Sequence, residues 1–457
     1  MSAKRRALGG VCAVLGMAST QALAQSEGAD VADVWVCALQ AAAYWGSANG
    51  THALSIGTTA ANGGNVNLDW IQEGFQHPVI AQNLYRLKDG VLEQVGMSWV
   101  KHGFCAVQQD TGCGVCQDPF PVCLDILRPG CSDPYSASLN SMSDQLGPRS
   151  EVNATTAAFL WPHTVAEGTI PSTIRSRLQV AEADILPTLN PGARWFAEGQ
   201  YLHPQDAASG MANNNATYRE LDVAGFDFTP NMPMNFIDSS VAMTTMIEGW
   251  ASLDPTVQVA RVDLEGEGGG RFTVASRAAD NGDGTWSYEY AVHNMNADRS
   301  ASSFSVPIPD GVTITSIGFH DVEHHSGEPY SGDDWPAAEG GGAVTWSTDD
   351  FATDPNANAI RWGTMFNFRF IANTGPAQAN ATVGFFKPGM ASSMTATVMA
   401  PAEAPCVGDF NGDGVVNGAD LATTLSQFGG PGSADIDNSG SVDGVDIAFL
   451  LANWGSC

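Results

Sequence analysis

Two stretches near the C-terminus repeat each other at an offset of 26 residues: DFNGDGVVNGADLATTLSQFG from Asp409 and DIDNSGSVDGVDIAFLLANWG from Asp435. Each sets oxygen-bearing side chains at positions 1, 3, 5, 9 and 12, with glycine at position 6. That spacing wraps a short loop around a hard divalent cation, the pattern of an EF-hand calcium loop. The first loop offers Asp409, Asn411, Asp413, Asn417 and Asp420, with the Val415 carbonyl at position 7. The second offers Asp435, Asp437, Ser439, Asp443 and Asp446, with the Ser441 carbonyl. Gly414 and Gly440 permit the sharp turn. Residues 406–457 hold seven Asp, all at ligand positions, and no Glu, Lys or Arg. Carboxylates crowded without cations repel one another until a metal neutralises them. Two Ca²⁺ would offset four of the seven charges. Val416 and Val442, at position 8, are expected to pair in a short β contact between the loops.

The duplicated half-EF-hand resembles a type I dockerin domain over about 52 residues. The resemblance implies one helix after each loop, here carrying Leu421, Leu425 and Phe428, then Ile447, Leu450, Leu451 and Trp454. It also implies attachment to a cohesin-like or other cell-surface protein. Because the two ends of such a module lie together, it implies a Cys406–Cys457 disulfide. The match departs from the cellulosomal pattern at loop positions 10 and 11. Many dockerins carry Ser-Thr there, and this chain has Gly418-Ala419 and Gly444-Val445. The Lys-Arg pair usual in the helices is missing too. Calcium binding therefore transfers better than cohesin binding.

The other end of the chain reads as an export signal. Lys4, Arg5 and Arg6 precede an apolar stretch from Ala7 to Ala18, and Ala22-Leu23-Ala24 supplies an A-x-A cleavage site. Cleavage leaves 16 basic residues against 49 acidic ones and eight cysteines. An even count in an exported chain reads as disulfides. Cys37, Cys105, Cys113, Cys116, Cys123 and Cys131 in the body allow fifteen pairings. Cys113-Gly-Val-Cys116 also invites zinc or redox readings. A net charge of −30 opposes binding to nucleic acid or anionic lipid. No segment is apolar for long enough to span a bilayer. The expected location is secreted: extracellular, at the cell surface, or periplasmic.

Between these ends the pattern is mainly β. Val34 to Cys37, Ala53 to Gly57 and Val79 to Leu87 read as strands, and Lys88-Asp89-Gly90 as a hairpin turn. Ser172 to Ala183 has the spacing of a short helix. From Thr256 the alternation sharpens. Trp286, Tyr288, Tyr290 and Val292 share one face, as do Trp362, Phe366, Phe368 and Phe370. The expected organisation is a signal peptide (1–24), a β-rich domain with the cysteine cluster (25–255), a β-sandwich (256–398), a linker (399–405) and the small α-helical calcium-binding module (406–457). The body looks like a group of uncharacterised secreted bacterial proteins, a resemblance that brings no activity with it.

Three constellations in the body bear on function. His320-Asp321-Val322-Glu323-His324-His325 is the densest run of ligand-type residues, but on a strand His320 and His324 stand ~13 Å apart. Tyr330 and Trp335, beside Asp333 and Asp334, offer a sugar-stacking loop. Glu198 and His203, with His77 and His102, are candidates for acid–base work. No nucleophile-elbow, zincin, P-loop or dinucleotide fingerprint occurs. Whether the body is an enzyme stays open. The preferred reading is a body that binds glycan or adheres, fastened through a calcium-loaded module. The alternative is a carbohydrate-active hydrolase of polysaccharide.

Overall fold

Asn49-Gly50 and Asp89-Gly90 both take positive φ at their two residues, 54° and 80°, then 53° and 82°. Such turns match the twist of the strands they join. The first couples Val34–Ala48 to Thr51–Asn62, and the second couples Val79–Lys88 to Val91–Met97. The computed structural model describes residues 29–164, 169–324, 327–403 and 406–456. Residues 1–24, where an export signal is expected, lie outside the described residues. From Val31 onward the chain forms one unit of contiguous contacts.

The protein is mainly β. One antiparallel system of 11 strands runs from Val34–Ala48 to Met232–Met234. Arg194–Leu202 pairs with Val79–Lys88 on one side and Ala216–Leu221 on the other. The second part is a sandwich of two five-stranded sheets. One sheet runs Gln258–Leu264, Gly270–Asp280, Trp286–Asn294, Thr364–Ala372, Ile314–His320. The other runs Ala337–Gly340, Ala343–Ser347, Ala301–Pro307, Pro376–Phe385, Ser393–Pro401. Among the described residues no strand ladder joins the 11-strand system to the sandwich. Side chains join them instead. Asn367 donates to the Leu92 carbonyl, and Gln94 exchanges hydrogen bonds with Met365 and Gly363.

Period-two alternation builds the sandwich core. Tyr288, Tyr290, Phe304, Trp346, Phe366, Phe368 and Phe370 are all buried in it. Trp362 departs from its expected place. It precedes its strand and packs beneath Arg149, beside Val79 and Val152. The helix expected at 172–183 is a strand, Leu178–Ala181, ending in a single turn, Glu182–Ile185. Pairing on both flanks, with Thr51–Asn62 and Val91–Met97, overrides the local spacing.

The cysteines form three disulfides: Cys37–Cys113, Cys105–Cys123 and Cys116–Cys131. Cys113 and Cys116 thus go to different partners, which overturns both the zinc and the redox readings of that pair. Cys406 is disulfide-bonded, and Cys457 lies outside the described residues.

After the linker come two helices, Gly418–Gln427 and Gly444–Ala452. The expected contact between Val416 and Val442 does not form. Val415–Val416 pairs with Gly455–Ser456, while Val442 exchanges backbone hydrogen bonds with Gly429 and Gly430. Each loop therefore meets the segment that follows the other loop's helix. Both valine side chains are still buried.

Candidate functional site

The two acidic loops owe their shape to hydrogen bonds from their own backbone. Asp420 accepts from the amides of Phe410, Asn411 and Asn417, and Asp446 accepts from those of Ile436, Asp437 and Asp443. Those amides hold both carboxyls below the usual range, the Asn417 amide contributing most for Asp420 and the Asp443 amide for Asp446. At position 1, Asp409 accepts from Gly412, Asp413 and Gly414, and Asp435 from Ser439 and Gly440. Asn417 and Asp443 begin the helices as capping boxes with Asp420 and Asp446.

The loops differ in how far their oxygens converge. Carboxylate oxygens of Asp435, Asp437 and Asp446 lie within 4.8 Å of one another. Asp409, Asp413 and Asp420 are not gathered so closely among the described residues. In the first loop position 3 is an amide, Asn411, which donates to Asp413 at 2.9 Å. The Val415 carbonyl accepts from Asn417, and the Ser441 carbonyl from Ser439. The donor set is all oxygen, the chemistry that suits a hard cation such as calcium and not a soft one.

The body's constellations are largely structural. Glu198 is fully buried and accepts from Asn83, Tyr85 and the Met246 amide at 2.7–2.9 Å. His203 caps the helix Pro204–Ala208 through Nδ1 and reaches the Asp69 carbonyl through Nε2. His77 and His102 do meet, at 3.1 Å, packed among Phe159 and Trp161. Burial pushes His77 and His203 down to about 4, so both rings are neutral at ordinary pH. Glu198 is bonded to none of these histidines, so the expected acid–base set is not assembled.

Trp335 is a core residue. It is 2% exposed, stacks on Phe319, and donates to the Asn358 carbonyl at 2.5 Å. The sugar-stacking expectation there is wrong because the loop folds its ring back onto the sandwich. Tyr330 is covered by the Arg361 guanidinium, 4.0 Å from its ring centre. The histidine run leaves its strand at His320, whose Nε2 lies 3.3 Å from the Gln94 carbonyl. Asp321 accepts from Asn358. Among the described residues this run forms no metal-ligand group, and His325 lies outside them.

No family model and no curated protein matches the chain. Among solved structures, a serine-rich repeat adhesion glycoprotein of Streptococcus agalactiae aligns over 80% of this chain and 97% of its own, at 9% identity and a TM-score of 0.20. An exo-chitosanase of Amycolatopsis orientalis aligns over 76% of this chain and 25% of its own, at 9% identity and a TM-score of 0.16. The B domain of a biofilm-associated protein aligns over 89% and 94%, at 10% identity and 0.17. Scores this low do not amount to a shared fold, and nothing about function is carried across.

Sequence reasoning missed one feature of the body. A cleft runs along one end of the sandwich on both sides of the ion pair Asp298–Lys387, 2.8 Å apart. Gly268 and Gly269, unremarkable in sequence, form part of its wall. A clue was available in the GGG run followed by a strand, which marks close backbone approach.

Proposed function

We propose that this is an exported protein fastened outside the cytosol through a C-terminal module that binds two Ca²⁺, with a body that binds glycan or adheres. The observation that carries the calcium reading is the convergence of Asp435, Asp437 and Asp446 in the second of two duplicated loops. Asp409, Asp413, Asp420, Asn411, Asn417 and the Val415 carbonyl would hold the second ion. Calcium would supply the charge neutralisation that seven Asp and no base lack. Three disulfides support export, since such bonds persist in oxidising compartments. Among the described residues no helix is long and apolar enough to cross a membrane.

Attachment to a partner protein rests on the surface of the module. Leu425, Phe428, Phe449, Leu451 and Trp454 are exposed on or beside its two helices. So much apolar surface on so small a unit is the mark of an interaction face, and the dockerin resemblance gives a cohesin-like or other cell-surface protein as its class. Binding is preferred over hydrolysis for the body because Glu198 is enclosed by its three donors.

Calorimetry of Ca²⁺ into the chelator-treated, full-length protein tests the reading. Uptake of two ions is expected, with loss of one on Asp435→Ala with Asp437→Ala. No uptake at all would overturn it.

A further inference from the structure

The geometry points to the cleft around Asp298 and Lys387 as a binding site for a neutral polysaccharide chain. This inference rests on the glycan-binding reading of the body and gives it a place and a ligand class.

The cleft has two arms that share Asn153, Asp298 and Lys387. One arm has a volume of about 720 Å³ and lies between the 263–269 loop and the 388–391 loop. The other, of about 480 Å³, lies against residues 150–153 and 158–160. Each is the size of a site for one or a few sugar-sized units, within the roughly 300–1,000 Å³ of small-molecule pockets. Two such arms joined at Asn153, Asp298 and Lys387 suit an extended chain better than a single small ligand.

The lining alternates apolar faces with hydrogen-bonding groups. Phe351, 37% exposed, and Met390, fully exposed, stand in the larger arm. Phe75, 50% exposed, and Leu160, 60% exposed, stand in the other. An exposed ring in each arm, Phe75 and Phe351, can take the C–H face of a sugar, while Asn153, Ser393 and the peptide groups of the glycine-rich loop meet its hydroxyls.

The floor is built and held. The Arg299 guanidinium lies 4.1 Å from the centre of the Phe385 ring and donates to the carbonyls of Ala391 and Lys387 at 2.5 and 3.2 Å. A Cβ on Gly268 would come within 2.6 Å of the Arg299 side chain, and one on Gly389 within 2.7 Å. At Gly268 the approach is to Arg299 Cγ and φ is +70°, so this loop crosses Arg299 as glycine. The Thr155 hydroxyl ties this end together, donating to the Gly269 carbonyl and accepting from the Asp298 amide.

Charge selects against polyanions. Both cations that line the cleft have partners: Lys387 has Asp298, and Arg299 has the carbonyls and the ring. Glu265 and Glu267 are exposed at the rim. On a chain of net charge −30, a uronate or sulfated glycan would be repelled and a neutral one would not.

The test uses the full-length, calcium-loaded protein in affinity electrophoresis through hydroxyethylcellulose, laminarin, mannan and polygalacturonate. We expect retardation by at least one neutral polymer and none by polygalacturonate. Leu160→Asp with Met390→Asp alters two exposed side chains and should leave the melting temperature in place. It should weaken retention at least tenfold, as should Phe75→Ala with Phe351→Ala. Retention on a neutral polymer that both double variants preserve would overturn the cleft and leave the glycan reading standing. Retention on polygalacturonate alone would overturn the neutral-ligand assignment. Absence of retention on all four would overturn the cleft and the glycan reading together.

Discussion

The body and the C-terminal module are stabilised in opposite ways. Between Val34 and Pro401 the sheets bury aromatic rings by the dozen, and three disulfides staple the first of them. In residues 406–456 the buried apolar side chains are few: Val416, Ala434, Val442 and Leu450. What lies buried there beside them is oxygen, Asp420, Thr424 and Asp446. Eight large apolar side chains of the module, Trp454 among them, are exposed instead. A fold made by burial stands alone, whereas one built around ligand oxygens, as we propose for the module, depends on its ligand.

The largest effect should come from removing calcium. With chelator, the full-length protein should show two transitions, the module melting first and the body unchanged. Calcium at 1,000 times its Kd should restore about 4 kcal/mol to the module. Asp409→Ala with Asp435→Ala should abolish that gain. Circular dichroism across a calcium titration reads it, and Mg²⁺ should substitute poorly because it demands stricter octahedral geometry. A single transition insensitive to chelator would break the contrast.

Trp335→Ala should act on the body alone. A ring stacked on Phe319 and hydrogen-bonded to Asn358 leaves a cavity and an orphaned carbonyl, a loss of about 3–5 kcal/mol. Calcium affinity should not move. Denaturant unfolding followed beside calorimetry separates the two outcomes. Opening Cys37–Cys113, which spans 76 residues, with a double Ser variant should cost about 2–4 kcal/mol, again only in the body.

The two regions also differed in how much could be read from sequence. The two helices of the module were legible because their information is local. Each acidic loop is twelve consecutive residues, and each helix begins within the last three of its loop, at Gly418 and Gly444. Even there Val416 and Val442 were mispaired, since the partners of a two-residue strand are set by chain return and not by pattern. In the body, alternation revealed strands such as Trp286–Asn294 and the sandwich they build. It could not reveal that Trp335 turns inward, that Cys113 and Cys116 part company, or that residues 178–181 fill a gap between two strands. Those facts depend on pairings over long separations, which no local window contains.

A smaller effect concerns pH. Asp206 is buried and pushed up to about 8, chiefly by desolvation, although it accepts from the Val34 amide and Asn215. An acid whose folded pKa lies above its unfolded value stabilises fully below the unfolded value, near 4, and that contribution is lost as pH rises toward 8. We expect the body to lose stability across this window. Asp206→Asn should flatten the slope, read from melting temperatures between those limits. The module, whose Asp420 and Asp446 are held low, should not share the trend.

The smallest change in stability should come from Trp454→Ala, and it sharpens the comparison most. Trp454 is 49% exposed where Trp335 is 2% exposed, so the same substitution meets water in one region and packed rings in the other. A half-exposed ring with little to pack against contributes within about 0.5 kcal/mol on removal. If Trp454 belongs to the module's docking face, its loss should instead abolish capture of the cell-surface partner, since aromatic anchors dominate interfaces. Thermal denaturation of the calcium-loaded variant beside a pull-down from cell-surface extract gives both readings. A large fall in stability would show that the outward apolar face of the module is part of its core. The contrast drawn between a body held by burial and a module held by ligand would then fail at the residue where it is most exposed to test.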